Sequence, residues 1–308
     1  MRSPAMSPFA GFRAAMAAAE PAAIACAGHP PPSAGCDFEA LRRDILVPGG
    51  ARAARSYREW LERAQRNPDY GPVQAFVHAQ RHDTLHALAV AEVERIAADP
   101  DPAVRTGHAL GRIRKDEPGV IATRDFSTPW AIAYLLHGLL ESMGRVPRWQ
   151  DVDRHLRGAA SSLYYGPFTQ AFRYGSKSAQ EIRAFERGFQ YRVGNAYYSF
   201  LREVDLMARL REIHGLQVRY HVLADVHYRV DFWCRNVLVA LWVENPRYRQ
   251  GNEGRKPKPE HYLDASGFRL LRLELDRPDQ RNSWRPMLFS TSQVAHAAEQ
   301  IRAALITS

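Results

Sequence analysis

The chain has 308 residues and a formal net charge of +9, and 45% of its residues are hydrophobic. A chain of this length and composition can bury a hydrophobic core, which excludes wholesale disorder. Its three cysteines contain no CxxC pair, which excludes a disulfide scaffold and a cysteine-built zinc site.

Residues 1–37 are rich in Ala, Pro, Gly and Ser and are predicted to form a flexible tail. The apolar stretch Met16–Ala25 resembles part of a signal peptide, but Glu20-Pro21 interrupts it. A transit peptide is an alternative, because this start carries Arg and few acids. The longest nearly apolar run, Trp130–Leu140, is shorter than the roughly 20 residues that a membrane helix needs. We therefore expect no membrane partner and a cytoplasmic location.

Residues 38–143 are predicted to form a helical domain, which could also bind a protein partner. Apolar residues recur at helical intervals, and the residues concerned are Leu41, Ile45, Leu85, Leu88, Val90, Val93 and Ile96. His78, His82 and His86 lie four residues apart and could share one helix face. A metal site there is conceivable, although no further ligand stands at a telling spacing.

Residues 144–192 are predicted to form a small basic helical segment that binds DNA. Between positions 141 and 192 there are 9 Lys/Arg against 5 Asp/Glu, interleaved with aromatic residues. Cations suit phosphates and aromatic rings suit bases, which favours nucleic acid as a partner. The candidate DNA-binding residues are Arg145, Arg148, Arg173 and Lys177. The alternative is that the aromatic residues are only the core of this segment.

This segment resembles the homing-endonuclease-associated repeat, a short helical DNA-binding module. The matching residues are Gly144, Pro147, Asp151 and Tyr174-Gly175-Ser176. Arg148 and Lys177 depart from the pattern, since they stand where the repeat has Ser/Thr and Trp.

Residues 193–308 are predicted to form an α/β (α+β) domain. A helix from about Ala196 to Ile213 precedes strand-like text that is rich in β-branched and aromatic residues. The predicted strands are Val218–Leu223, His227–Cys234, Val237–Glu244 and Phe268–Leu275, and a final helix covers Ser292–Leu305. A two-residue turn at Arg235-Asn236 joins the second strand to the third.

Three carboxylates of this domain stand at positions where a charge is costly. Glu203 lies in line with Phe200 and Met207 on a helix, Asp231 lies inside a strand, and Glu244 ends the most apolar strand. Carboxylates in such a set can hold Mg²⁺ or Mn²⁺ for phosphodiester hydrolysis. The alternative for each acid is exposure at a strand end or a salt bridge.

The order helix-Glu, strand-Asp, strand-Glu resembles the PD-(D/E)xK nuclease superfamily, in particular its very-short-patch-repair endonucleases. The residues that carry the resemblance are Phe200–Glu203, Val230–Phe232, Leu241–Glu244, His261–Asp264 and Gly267–Arg272. The resemblance implies a restriction-endonuclease-like mixed sheet flanked by helices, preceded by the helical half. It also implies a metal-dependent DNA endonuclease in which Glu203, Asp231 and Glu244 hold the metal and act in catalysis.

The chain departs from this pattern after the third acid, because Glu244-Asn245-Pro246 replaces Glu-x-Lys. In a shorter register Trp242 takes the metal-binding place and Glu244 the Lys place, which implies a damaged site. A catalytically inactive nucleic-acid-binding protein, or a DNA-binding subunit of a larger complex, is therefore the alternative function.

The loop between positions 245 and 260 offers substitutes for the missing lysine. Lys256 and Lys258 are the nearest lysines and are catalytic candidates. Arg247, Arg249 and Arg255 could bind a backbone phosphate, or the whole loop could be a solvated basic surface. His261 could transfer a proton or cap a helix.

Overall fold

The computed structural model describes residues 35–99, 113–244, 258–276 and 288–306. Within them the chain is predominantly helical and carries one small sheet. The helices are α1 (Phe38–Leu41), α2 (Gly50–Arg66), α3 (Tyr70–Ala79), α4 (Asp83–Ala87), α5 (Val90–Ala98), α6 (Pro118–Ala122), α7 (Ile132–Met143), α8 (Trp149–Arg157), α9 (Tyr165–Ala171), α10 (Ala179–Glu212) and α11 (Thr291–Ile306). The strands are β1 (Phe232–Cys234), β2 (Val237–Glu244) and β3 (Arg269–Asp276).

The three strands form a mixed sheet in the order β1-β2-β3. β1 and β2 are antiparallel and are joined by the predicted turn at Arg235-Asn236, where Arg235 has a φ of 53°. β2 and β3 are parallel, with Val237 opposite Arg269 and Glu244 opposite Asp276. α11 packs against β2, β3 and α10. The α+β class is therefore confirmed.

The predicted strand Val218–Leu223 does not form. Only Arg219 pairs with Trp233, in an isolated bridge. The amides of Tyr220 and Val222 donate instead to imidazole nitrogens of His86 and His82, over 3.3 and 3.1 Å. Because these ring nitrogens satisfy the backbone donors, the segment needs no neighbouring strand.

The predicted strand His227–Cys234 is much shorter than expected. A π-helical turn covers Ala224–Tyr228, and Arg229 follows it with a left-handed φ of 62°. This conformation breaks an extended run, so the strand begins only at Phe232.

The helical half and the sheet share one hydrophobic core. The apolar residues predicted to be buried in the helical domain are all part of it, including Leu41, Ile45 and Val93. α10 starts with a capping box of Ser178 and Glu181 and runs for 34 residues. The predicted boundary between positions 192 and 193 therefore falls inside one continuous helix.

α6 crosses α10 at close range through two glycines. A Cβ placed on Gly119 would meet the backbone carbonyl of Ala184, and one placed on Gly188 would meet that of Gly119. Glycine at both positions allows the two backbones to touch.

The basic segment (residues 144–192) is helical, as predicted, and contains α8, α9 and the start of α10. Gly144 ends α7 with a left-handed φ of 62°, and the Asp151 carboxylate accepts from the Arg148 amide over 2.9 Å at the start of α8. Trp149, Tyr164 and Phe168 are buried. The alternative that these aromatic residues form a core therefore holds.

The three histidines spaced four apart do not share a helix face. His78 lies in α3, His82 precedes α4 with a left-handed φ of 54°, and His86 lies in α4. None of the described helices combines the length and apolar character needed to cross a bilayer.

Candidate active-site cleft

A cleft of about 210 Å³ opens where the π-helical turn meets the sheet. We call it the cleft. Its lining residues are Asp225, Arg229, Asp231, Leu238, Ala240, Leu241, Trp242, Lys258, Pro259, Glu260, Leu270, Leu271 and Arg272. Carboxylates and cations thus share one concave surface with an apolar floor, as in many ligand sites.

Asp231 is fixed to the sheet immediately before β1. Its amide donates to the Val239 carbonyl over 2.9 Å, and its carboxylate accepts from the Leu241 amide over 2.6 Å. These two bonds place Asp231 opposite Ala240 on β2. The hydrogen bond to its carboxylate holds the Asp231 side chain in one orientation. Asp231 also lines the cleft.

Asp225 belongs to the same surface and was not among the predicted site residues. It lies in the π-helical turn and accepts a hydrogen bond from the Tyr220 hydroxyl over 3.1 Å. The sequence signal was an acid flanked by Ala224 and Val226, six residues before Asp231. The sequence analysis does not identify Asp225, because it places residues 224–226 in a loop between the predicted strands Val218–Leu223 and His227–Cys234.

The charges of three carboxylates act on the buried Tyr220 hydroxyl. Its pKa lies well above the ordinary value because of burial and of the charges of Asp225, Glu203 and Asp231. Glu203 lies half-buried on α10, on the predicted stripe whose Phe200 is buried. Unlike the two aspartates, Glu203 is not among the cleft-lining residues.

Arg229 is one of the cations that line the cleft. It follows the π-helical turn with a left-handed φ. Its Nε is buried and has no hydrogen-bond partner in the part of the chain that the structure describes. A guanidinium that lines a concave surface beside carboxylates can bind an anionic ligand through its terminal nitrogens.

Two further cations line the cleft. The predicted residue Lys258 is exposed there. The Arg272 guanidinium lies 4.3 Å from the centroid of the Trp242 ring and 3.3 Å from a carboxylate oxygen of Glu274. Positive charge therefore surrounds the pair formed by Asp225 and Asp231.

Other predicted site residues are either not among the cleft-lining residues or lie outside the described part of the chain. The Glu244 backbone lies four residues beyond Ala240, about 13 Å along the strand, and its side chain is outside the described part. His261 is exposed at the end of a 3-10 turn and is not among the cleft-lining residues. Lys256, Arg247, Arg249 and Arg255 also lie outside the described residues.

The cations of the basic segment lie away from the cleft, and two of them are paired within the segment. Arg145 contacts Asp151 at 2.9 Å, and Lys177 contacts Glu181 at 3.1 Å. Arg173 is exposed with a left-handed φ of 49°, and Arg148 is half-buried.

A buried histidine cluster (His82, His137 and His221) packs around Tyr220, whose hydroxyl binds the cleft residue Asp225. The His137 ring stacks on Tyr220 with 4.3 Å between centroids, and the His82 ring lies 5.0 Å from Tyr220. Burial lowers the pKa of His137 and of His221 to about 3. These imidazoles are therefore neutral at physiological pH.

The cleft can be tested for its fit to a divalent ion. No group of three or more His, Cys, Asp or Glu residues among those described is arranged to hold a metal. Mg²⁺, however, is commonly held by one or two carboxylates, with water and substrate phosphate completing its shell. Asp225 and Asp231 provide two carboxylates in one cleft, which is fewer than a closed protein cage for a metal requires.

The chain matches no protein-family model, no curated protein and no solved structure, so its own geometry is what bears on its function.

Proposed function

We propose that this protein is a metal-dependent DNA endonuclease that hydrolyses phosphodiester bonds at the cleft. The observation that supports the proposal is that the carboxylates Asp225 and Asp231 and the cation Arg229 line one cleft. Anionic oxygens beside cations are what a phosphodiester needs when it is bound and cleaved.

Asp225 and Asp231 are the residues that would hold Mg²⁺ or Mn²⁺ in this proposal. Such an ion stabilises charge on a phosphate and lowers the pKa of a water molecule. The Leu241 amide orients Asp231, and the Tyr220 hydroxyl orients Asp225. Neither carboxylate then needs to reorganise when the substrate binds.

Arg229 and Lys258 would bind the phosphate oxygens. Arg229 carries a planar donor fork that matches two phosphate oxygens, and Lys258 contributes a compact charge at the rim of the cleft. In this scheme Lys258 takes the place of the lysine that is missing after Glu244.

The proposal includes a restriction-endonuclease-like fold for the C-terminal part. It is supported by the antiparallel pair β1–β2 and its parallel neighbour β3. It is also supported by α11, which packs on the sheet and against α10. A DNA substrate agrees with the cytoplasmic location expected from the sequence.

Cleavage of supercoiled plasmid by the full-length protein tests this function. With Mg²⁺ or Mn²⁺ we expect nicking that falls at least a hundredfold in Asp231→Asn and Asp225→Asn. Asn keeps an acceptor for the Leu241 amide and the Tyr220 hydroxyl, so both variants should stay folded. The matched control is Asp153→Asn in α8, which lies outside the cleft and should retain activity. Nicking that both cleft variants retain would refute the proposal.

A catalytically inactive nucleic-acid-binding protein is the second candidate. It is favoured by the residues that β2 presents to Asp231, because Ala240 lies opposite it and Trp242 follows two positions later. Neither side chain can bind a metal. Salt-sensitive DNA binding without any metal-dependent nicking, unchanged in Asp231→Asn, would select this candidate. The same result would leave room for a DNA-binding subunit whose helical half contacts a protein partner.

A further inference from the structure

The cleft combines its charged groups with an aromatic surface that phosphate chemistry does not use. Trp242 projects from β2 and is half-buried among the cleft-lining residues. The guanidinium of Arg272 covers its ring at 4.3 Å. Tryptophan is the strongest partner for stacking and for cation–π contacts, and an arginine over the ring restrains the indole.

The cleft also has apolar lining residues. Leu238 is buried, and Leu270 and Leu271 line the cleft half-buried. A surface made only for a sugar-phosphate backbone would carry polar groups at these positions. Leucines in the same cleft as an indole suit a flat ring system that has lost its contact with water.

The size of the cleft fits part of a nucleotide chain. Its volume of about 210 Å³ is below the ~300–1,000 Å³ of pockets that enclose a drug-sized ligand. One planar ring can enter while the attached backbone stays outside. The cations Arg229 and Lys258 line the same cleft and could bind the flanking phosphates.

A base that pairs within a duplex cannot reach such a floor, because both of its faces are stacked on neighbouring bases. We propose that the cleft binds single-stranded DNA through one unpaired base stacked on Trp242, with Asp225 and Asp231 beside the adjoining phosphate. This inference rests on the proposed function and specifies its substrate class. The substrate is then DNA with an unpaired nucleotide, and sequence-tolerant stacking contributes to its affinity.

Fluorescence anisotropy with labelled oligonucleotides tests the inference on the full-length protein. The probes are a 12-residue oligothymidylate, an abasic oligomer of equal length and charge, and a duplex of the same length. We expect the wild-type protein to bind the thymidylate about tenfold more tightly than the abasic oligomer, which is the usual scale of base–aromatic stacking. The duplex should bind at least as weakly as the abasic oligomer.

Substitutions of Trp242 identify the surface that is responsible. Trp242→Ala should remove the preference for thymidylate over the abasic oligomer, and Trp242→Phe should restore most of it. Affinity for the abasic oligomer should not change in either variant, which reports intact phosphate binding and an intact fold. A preference that persists in Trp242→Ala would overturn the inference.

Failure of the inference can be told apart from failure of the proposed function. Equal affinity for thymidylate and abasic oligomer, or tighter binding of the duplex, would overturn base stacking while plasmid nicking remained. Absence of binding to all three probes would overturn both.

Discussion

The basic segment and the cleft both carry cations, but the contacts of these cations differ. In the segment, Arg145 is paired with Asp151 and Lys177 with Glu181. In the cleft, the Arg229 Nε is buried and, within the described residues, has no partner. A paired cation must exchange its own contact before it binds a phosphate, and this holds for Arg145 and Lys177 in the segment and for Arg272 in the cleft. A count of lysines and arginines therefore overstates what either region offers to DNA.

The two regions also differ in what their aromatic residues do. In the segment the ring of Phe168 packs on Phe172 and Phe189, so these rings serve the core. In the cleft Trp242 is half-buried and lies among polar groups. Interleaving of basic and aromatic residues in sequence has the same appearance in both cases. Only the contacts separate a core from a binding surface.

The largest predicted difference between the two regions is in how acid pH changes the free energy of unfolding. The histidine cluster stays neutral in the folded chain, with a pKa of about 3 for His137 and His221, whereas unfolded imidazoles take up protons near pH 6.5. The contribution of these histidines to the free energy of unfolding is therefore fully present above about pH 6.5, and it is lost as pH decreases towards 3. We expect each such histidine to cost roughly 2 kcal/mol of unfolding free energy between pH 7 and pH 5. Urea denaturation at the two pH values measures it.

His137→Phe is the variant that isolates one member of the cluster. Phe keeps a ring against Tyr220 and cannot be protonated, so the loss between pH 7 and pH 5 should shrink by roughly 2 kcal/mol. In the segment, hydrogen bonding with Ser178 and Lys177 lowers the pKa of Glu181 to about 2, so this acid is protonated only at lower pH. An unchanged pH dependence in His137→Phe would contradict this assignment.

Removal of one cation from each region should affect DNA affinity unequally. Arg229→Gln deletes a guanidinium that lines the cleft, and we expect about a tenfold loss of affinity and a salt slope that is smaller by about 1. The matched control is Arg173→Gln, an exposed arginine of the segment, which should change affinity less than about twofold. Anisotropy titrations at several salt concentrations measure both. Equal losses of DNA affinity in the two variants would contradict the claim that the cleft, rather than the segment, binds DNA.

Asp151→Ala should produce the smallest effect, and on stability alone. Its carboxylate caps α8 by accepting from the Arg148 amide and pairs with Arg145. We expect a loss of about 1 kcal/mol in unfolding free energy, as for other N-terminal caps. DNA affinity should stay the same or rise slightly, because Arg145 is released. A clear fall in affinity with no change in stability would assign this cluster to DNA binding.

Local patterns in the sequence predicted much of the fold. The turn at Arg235-Asn236 and the final helix both depend on neighbouring residues, and both are present. The strand over Val218–Leu223 failed because its amides bind imidazoles that are over 130 residues away in the chain. No local pattern reports such partners.

The site was predicted less completely than the fold. Asp231 and Lys258 were identified by their sequence context, and both line the cleft. Asp225 and Arg229 were missed because a π-helical turn, which has no clear sequence signature, presents them. Their role follows from the tertiary arrangement around Tyr220 and β2.

Photochemical cross-linking tests most directly whether the cleft, and not the basic segment, binds DNA. The probe is a DNA with one duplex arm and one single-stranded arm, with iodouracil in both, irradiated with the full-length protein and analysed by peptide mass spectrometry. We expect cross-links from the single-stranded arm to the peptide that contains Trp242 or to residues 225–231. Cross-links confined to residues 144–192, or none at all, would contradict the assignment of DNA binding to the cleft.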